Sequence, residues 1–129
     1  MTREVVTIPP DMPLSEVAQR LLVNKITGAP VVDRTGALLG VVSYSDVALA
    51  GPQKKKKKPQ TARDAMSPHV ITVSPDDTLV TAAQRMWRHK VHRLCVMEEQ
   101  ELVGILTPFD LMLRTSLFTE PAQAEVRQH

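Results

Sequence analysis

The stretch Gly104-Ile105-Leu106-Thr107-Pro108-Phe109-Asp110-Leu111 has a counterpart earlier in the chain, Gly40-Val41-Val42-Ser43-Tyr44-Ser45-Asp46-Val47. Each reads as a glycine, two strand-forming apolar residues, a hydroxyl, two intervening residues and an aspartate that opens an apolar helix. A hydroxyl followed three residues later by a carboxylate fits a capping box: the hydroxyl accepts from an early helix amide and the carboxylate reaches back to the cap's own N–H. Pro108 at the first helical position strengthens that reading. The same pair at a strand-to-helix turn can also hold a ligand, and the pattern alone leaves both readings open.

The flanking residues repeat as well. Val5 to Ile8 reads as a strand that stops at Pro9-Pro10. Asp11 is then a plausible cap for a helix running to about Asn24, with Leu14, Val17, Ala18, Leu21 and Leu22 spaced by threes and fours along one face. Ala29 to Val32 and Ala37 to Val42 make a hairpin around Asp33-Arg34-Thr35-Gly36, and Ser43 to Ala50 a second helix. After Ala62 to Met66 the order starts again. Val70 to Val73 is a strand, Ser74-Pro75-Asp76 a cap, and Leu79, Ala82, Ala83, Met86 and Trp87 a helix stripe. Leu94 to Met97 and Glu101 to Leu106 form the second hairpin, Pro108 to about Leu117 the closing helix, and the tail from Thr119 is expected to fray.

The halves superimpose with an offset of 65 residues, which becomes 64 after the hairpin turn. Thr7 matches Thr72, Pro10 matches Pro75, Asp11 matches Asp76, Leu14 matches Leu79, Lys25 matches Lys90 and Asp46 matches Asp110. Met1 falls opposite Met66. This is a duplicated unit of mixed sheet-and-helix class. The expected boundaries are 1–50 for the first repeat, 51–61 for a lysine-rich linker, 62–117 for the second repeat and 118–129 for a C-terminal tail.

Composition narrows the function. The formal charge of +2 includes Lys54 to Lys58; without those five lysines, 11 basic residues face 14 acidic ones, a balance of −3. The folded part is thus mildly acidic, which argues against a nucleic-acid platform. Aromatic content of 3% means that the core is built from aliphatic residues and methionine. One cysteine, Cys95, excludes an intrachain disulfide, and no zinc or cluster ligand spacing exists. No stretch approaches the ~18 apolar residues of a membrane span, so a cytoplasmic protein is expected.

Ala62-Arg63-Asp64-Ala65-Met66-Ser67-Pro68 at the entry to the second half, with Gly-x-x-Ser/Thr-x-x-Asp closing each half, resembles a pair of cystathionine β-synthase (CBS) domains over about residues 1 to 117. The resemblance implies an α/β (mixed α+β) fold of duplicated β-α-β-β-α CBS units with pseudo-twofold symmetry and clefts between the repeats. It also implies homodimers and adenosine-containing ligands: AMP, ADP, ATP or S-adenosylmethionine. A carboxylate can accept from both ribose hydroxyls without any proton transfer, and helix N-terminal amides suit a phosphate. The resemblance gives these roles to Asp110 with Thr107 and to Asp46 with Ser43, with Ile105 and Val41 flanking the sugar or base. In the family it resembles each cleft borrows from the other repeat, so Ile26, Thr27, Gly28 and the Val5-Val6 backbone should complete the Asp110 cleft. Val70, Ile71 and Val91 should serve Asp46.

Lys90-Val91-His92-Arg93 gathers cations at a helix end, where they favour the helix dipole. His92 and Arg93 also resemble the His-Arg pair of nucleotide-sensing CBS repeats, which implies phosphate contact. The first half has Ile26-Thr27-Gly28-Ala29 in that place and no cation, so the Asp110 site is expected to be the stronger of two. The expected function is a non-catalytic regulatory module that signals through dimer or partner geometry. The alternatives are a structural dimerisation module without ligand, and an electrostatic adaptor in which Lys54 to Lys58 attract nucleic acid, an anionic membrane or an acidic protein.

Overall fold

Pro30 and Cys95 occupy the same place in the two halves, and the difference between an imino acid and an amide decides how much sheet each half builds. The computed structural model describes residues 1, 3–54, 57–115 and 125–128. They fall into two compact units, Val6–Val70 and Met1–Val5 together with Ile71–His129. Each has its own sheet and core, with mixed α and β structure.

The Val6–Val70 unit contains α1 (Leu14–Val23), β1 (Gly28–Val32), β2 (Leu38–Ser43), α2 (Tyr44–Ala50) and the short α3 (Ala62–Ala65). β1 and β2 pair antiparallel, Gly28 opposite Ser43 and Val31 opposite Gly40. Asp33 closes the hairpin by accepting at Oδ1 from the Thr35 hydroxyl (2.6 Å), Thr35 N–H (2.8 Å) and Ala37 N–H (3.0 Å). Those bonds, the Thr35 hydroxyl's first, hold its carboxyl below the usual carboxylate range. The strand expected at Val5 to Ile8 is corrected to a single parallel bridge between Ile8 and Val31. Ile8 N–H donates to Pro30 O at 2.9 Å, but Pro30 has no N–H to return toward Val6.

The second unit contains β3 (Thr72–Val73), α4 (Leu79–His89), β4 (Leu94–Glu98), β5 (Glu101–Leu106), α5 (Pro108–Thr115) and a 3₁₀ turn at Val126–Gln128. β3 runs parallel to β4, and β5 antiparallel to it with Cys95 opposite Ile105 and Val96 opposite Gly104. Here Cys95 N–H donates to Ile71 O at 3.2 Å, the bond that Pro30 cannot make, and a true first strand follows.

Helix packing corrects the wider stripes. α1 buries Leu14, Val17 and Leu21, and α4 buries Leu79, Ala82 and Met86. The matched residues Leu22 and Trp87 are 67% and 79% exposed, because each lies one residue, about 100° of helix, past the last buried position. Trp87 is therefore not a core residue. The caps shift too. Pro13 precedes α1 with no side-chain cap bond, and Thr78 rather than Ser74-Pro75-Asp76 caps α4, its hydroxyl accepting from Thr81 N–H at 3.1 Å.

Matched arginines tie helix to strand: Arg20 donates to Thr7 O at 3.1 Å and Arg85 to Thr72 O at 2.7 Å. A lysine in the left-handed region follows each helix, Lys25 just past the Asn24 cap of α1 at φ 56° and Lys90 as the cap of α4 at φ 53°. The residues that follow, Ile26 and Val91, donate back to Leu21 O (3.0 Å) and Met86 O (3.1 Å).

Lys55 and Lys56 lie outside the described residues, while the base of the lysine loop is closed by Gln60 N–H donating to Gln53 Oε1 at 2.8 Å. The tail expected to fray lies outside the described residues over 119–124, as does the end of the closing helix past Thr115. Over 125–128 the expectation is corrected: Val126 is fully buried in the second core, beside Met1, Leu94 and Leu106.

Candidate functional site

At the end of β2 the chain turns directly into α2, and Ser43 makes the turn in an extended conformation. Its N–H and Oγ donate to Asp46 Oδ2 at 2.8 and 2.9 Å, and Asp46 N–H donates to Ser43 Oγ at 3.3 Å. At the end of β5 the same lattice recurs. Thr107 N–H and Oγ1 donate to Asp110 Oδ2 at 2.8 and 3.1 Å, and Asp110 N–H donates to Thr107 Oγ1 at 3.2 Å. All four side chains are half-buried. Both turns are capping boxes, and both commit the carboxylate through Oδ2, while Oδ1 accepts none of these bonds.

The glycine of the motif has a separate reason. A Cβ at Gly40 would lie 2.4 Å from the carbonyl oxygen of Ser67 and 2.9 Å from Met66 Sδ. Val41 and Ser67 form an antiparallel bridge, with N–H to O distances of 3.0 and 2.9 Å. Sequence reasoning missed this partner, since Met66-Ser67 carries no strand pattern of its own.

The remaining predicted residues divide between the units. With Ser43, Asp46 and Val41, the Val6–Val70 unit holds Val70, and also Val6, Ile26, Thr27 and Gly28, which were assigned to the other cleft. Gly28 is buried opposite Ser43, Ile26 packs on the core, and Thr27 O accepts from Tyr44 N–H at 2.9 Å. The second unit holds Thr107, Asp110, Ile105, His92, Arg93 and Val5, together with Ile71 and Val91. Val5, Ile71, Val91, Arg93 and Ile105 are half-buried, and His92 is exposed.

In the second unit a groove of about 460 Å³ is lined by Trp87, Lys90, Val91, His92, Pro108 and Leu111, together with Ala83 and Met86. It brings His92 alongside the first turn of α5. Lys90 Nζ sits 4.9 Å from the centroid of the Trp87 ring, a cation–π contact. In the first unit Tyr44 stands at Pro108's place and donates from its hydroxyl to Ala18 O at 3.3 Å, on the helix position that matches Ala83. The groove residues Trp87, Pro108 and Leu111 were not predicted as site residues, and the Tyr44-to-Pro108 exchange is the signal that could have found them. Cys95 is buried, which pushes its thiol up to about 11 despite the opposing charge of Arg93. Among the described residues no cluster of His, Cys, Asp and Glu could hold a metal ion, and no helix is long and apolar enough to cross a membrane.

The CBS-domain family profile matches residues 1–52 and 62–115. The homoserine O-acetyltransferase of Methanococcoides burtonii is 33% identical over 112 residues, 86% of this chain and 22% of the enzyme. The chain thus spans about a fifth of that relative's length. CBS domain-containing protein YhcV of Bacillus subtilis is 29% identical over 111 residues, 86% of this chain and 79% of its own. Among solved structures, that of CBSX2 in complex with AMP is similar with a TM-score of 0.78 at 31% identity, covering 91% of this chain and 92% of that one. With each half matched separately, and with the capped turn from strand to helix present in both, the chain belongs to the CBS-domain family as a tandem pair of its repeats.

Proposed function

We propose that the chain is a non-catalytic regulatory module that binds an adenosine-containing ligand, AMP, ADP or ATP, with Asp110 and Thr107 at the stronger site. The observation that carries this reading is the half-buried Asp110 carboxylate, held through Oδ2 by Thr107 at the turn from strand to helix, where Oδ1 would accept a ribose hydroxyl. The AMP complex of a relative 31% identical over most of its length supports the ligand class. His92, Arg93 and the amides at the start of α5 would meet the phosphate. Val5, Val6, Ile26, Thr27, Gly28 and Ile105 would complete this site. Ser43, Asp46, Val41, Val70, Ile71 and Val91 would form a weaker one without a cation. S-adenosylmethionine is the second candidate; it lacks phosphates and would not depend on His92 or Arg93.

Ligand shifts geometry only by binding one arrangement more tightly than another. A homodimer would supply two such arrangements, and the exposed Trp87, Phe109 and Met112 on one unit, with Leu22, Val23 and Leu49 on the other, support self-association. The match to a fifth of a longer enzyme supports regulation of an attached or neighbouring catalytic partner.

Calorimetric titration with AMP, ADP, ATP and S-adenosylmethionine tests the reading on the parent, Asp110→Ala and His92→Ala. Asp110→Ala should weaken AMP at least about tenfold, the ~1.4 kcal/mol of a lost charge-assisted bond. His92→Ala should weaken AMP and leave S-adenosylmethionine untouched. Equal AMP affinity in Asp110→Ala and parent would sink the site assignment. No binding of any of the four would leave the structural dimerisation module and the electrostatic adaptor through Lys54 to Lys58.

A further inference from the structure

The repeat continues past the point where the sequence stops advertising it. In the Val6–Val70 unit, Thr61 bridges Pro13, Ala62 N–H donates to Met12 O at 2.9 Å and Arg63 N–H donates to Pro10 O at 3.0 Å. In the second unit, Glu125 bridges Thr78, Val126 N–H donates to Asp77 O at 2.9 Å and Arg127 N–H donates to Pro75 O at 2.9 Å. The acceptors Pro10 and Met12 and the bridge partner Pro13 match Pro75, Asp77 and Thr78 at the offset of 65, and residues 61–63 match 125–127 at 64. Ala62 and Val126 are both fully buried. One slot has therefore been built twice, and it takes a small or β-branched apolar residue followed by arginine.

The two occupants are held differently. Residues 61–63 run on through Met66 to Ser67, which pairs with Val41. In the second unit the place matching Met66 is taken by Met1, from the opposite end of the sequence and buried in the same core as Val126. Arg3 Nη2 donates to Arg127 O at 2.6 Å. The Arg127 guanidinium reaches Asp76 Oδ1 at 3.1 Å and Glu98 Oε2 at 2.5 Å, an acidic pair at the slot's rim.

We propose that residues 125–127 are a detachable internal ligand: a clasp recognised by the Pro75 and Asp77 carbonyls, the core pocket under Val126 and the Asp76–Glu98 pair, whose release frees the Arg3 guanidinium. In the first slot the chain runs on from Arg63 to Ser67, whose pairing with Val41 adds a second hold. The clasp opens separately from the sheet because only Val126 anchors it in the core, while its charged contacts are solvent-exposed and screened by salt. This inference stands on the duplicated slot and does not rest on the ligand reading above.

Amide hydrogen exchange on the full chain, parent against Arg127→Gln, tests it. In the parent, the Val126 and Arg127 amides should be protected. In Arg127→Gln both should exchange at least about twofold faster, because two solvent-exposed ion pairs are gone, while the β4–β5 ladder and the Ala62 amide keep their rates. Three results would overturn the clasp: unprotected Val126 and Arg127 amides in the parent, unchanged rates in Arg127→Gln, or loss of protection in step with the β4–β5 ladder.

Discussion

Replacing Gly40 by alanine is the sharpest single test of how the first repeat is assembled. The new Cβ would meet the Ser67 carbonyl oxygen at 2.4 Å, about 1 Å inside ordinary contact, and the Met66 thioether at 2.9 Å. The thioether is the end of a flexible side chain and can swing aside. The carbonyl cannot, since it accepts from Val41 N–H at 3.0 Å while Ser67 N–H donates to Val41 O at 2.9 Å. Relieving the overlap stretches or breaks that bridge, at about 1 kcal/mol for each bond, and overpacking adds about 1–3 kcal/mol. The reduced freedom of the unfolded chain returns about 0.4–1 kcal/mol. The net loss is about 2–4 kcal/mol, or roughly 10 °C in Tm for a chain of this size. Urea and thermal unfolding followed by circular dichroism would measure it. A Tm within about 2 °C of the parent, or above it, would refute the claim that strand β2 needs glycine here. Gly36→Asn is the control, because Gly36 has open space and asparagine tolerates its φ of 86°.

Other expectations follow from the same geometry. Asp46→Ala removes the bonds from Ser43 N–H and Oγ and should lower stability by about 1 kcal/mol in chemical denaturation. Leu94→Ala empties a fully buried site in the second core and should cost about 2–5 kcal/mol, read from the urea midpoint. Cys95 has its thiol raised from 9.0 to about 11 by burial, so the unfolded chain binds fewer protons than the folded one between those values. Stability should accordingly be intact below pH 9 and fall as pH rises toward 11, and Cys95→Ala should flatten that limb in unfolding measured across the range. At pH 8 the thiolate is about a hundredfold scarcer than in an exposed cysteine, so alkylation by iodoacetamide should follow unfolding.

The features legible in the sequence are those carried by local chemistry. Asp33 to Gly36 had to turn, Ser43 to Asp46 and Thr107 to Asp110 had to cap, and the two offsets fixed which residues correspond. The misreadings arose where a neighbour decides. Asp76 and Thr78 are both short polar residues before an apolar stripe, and only the geometry of the turn selects the hydroxyl nearer the helix. Trp87 sits beside the stripe, so its size suggested burial while its angle placed it outside. Glu125-Val126-Arg127 offers one apolar residue and no period, and its burial depends on a slot assembled from distant chain. In the site, the aspartates could be read directly. The groove at His92 could not, because it is assembled from the end of α4 and the first turn of α5, which are separated by the β4–β5 hairpin in sequence.

Lys25 and Lys90 give the two repeats a shared weakness. Both stand at left-handed φ, where an L side chain is disfavoured by roughly 1 kcal/mol and glycine is the usual choice. A redesign for thermal stability would change both to glycine, and the melting temperature would reward it. The gain would come with the loss of the ammonium on the Trp87 face and of one positive charge at each helix end. Heat resistance and surface charge therefore pull in opposite directions at two matched positions, and a screen that scores melting alone would select against the charge.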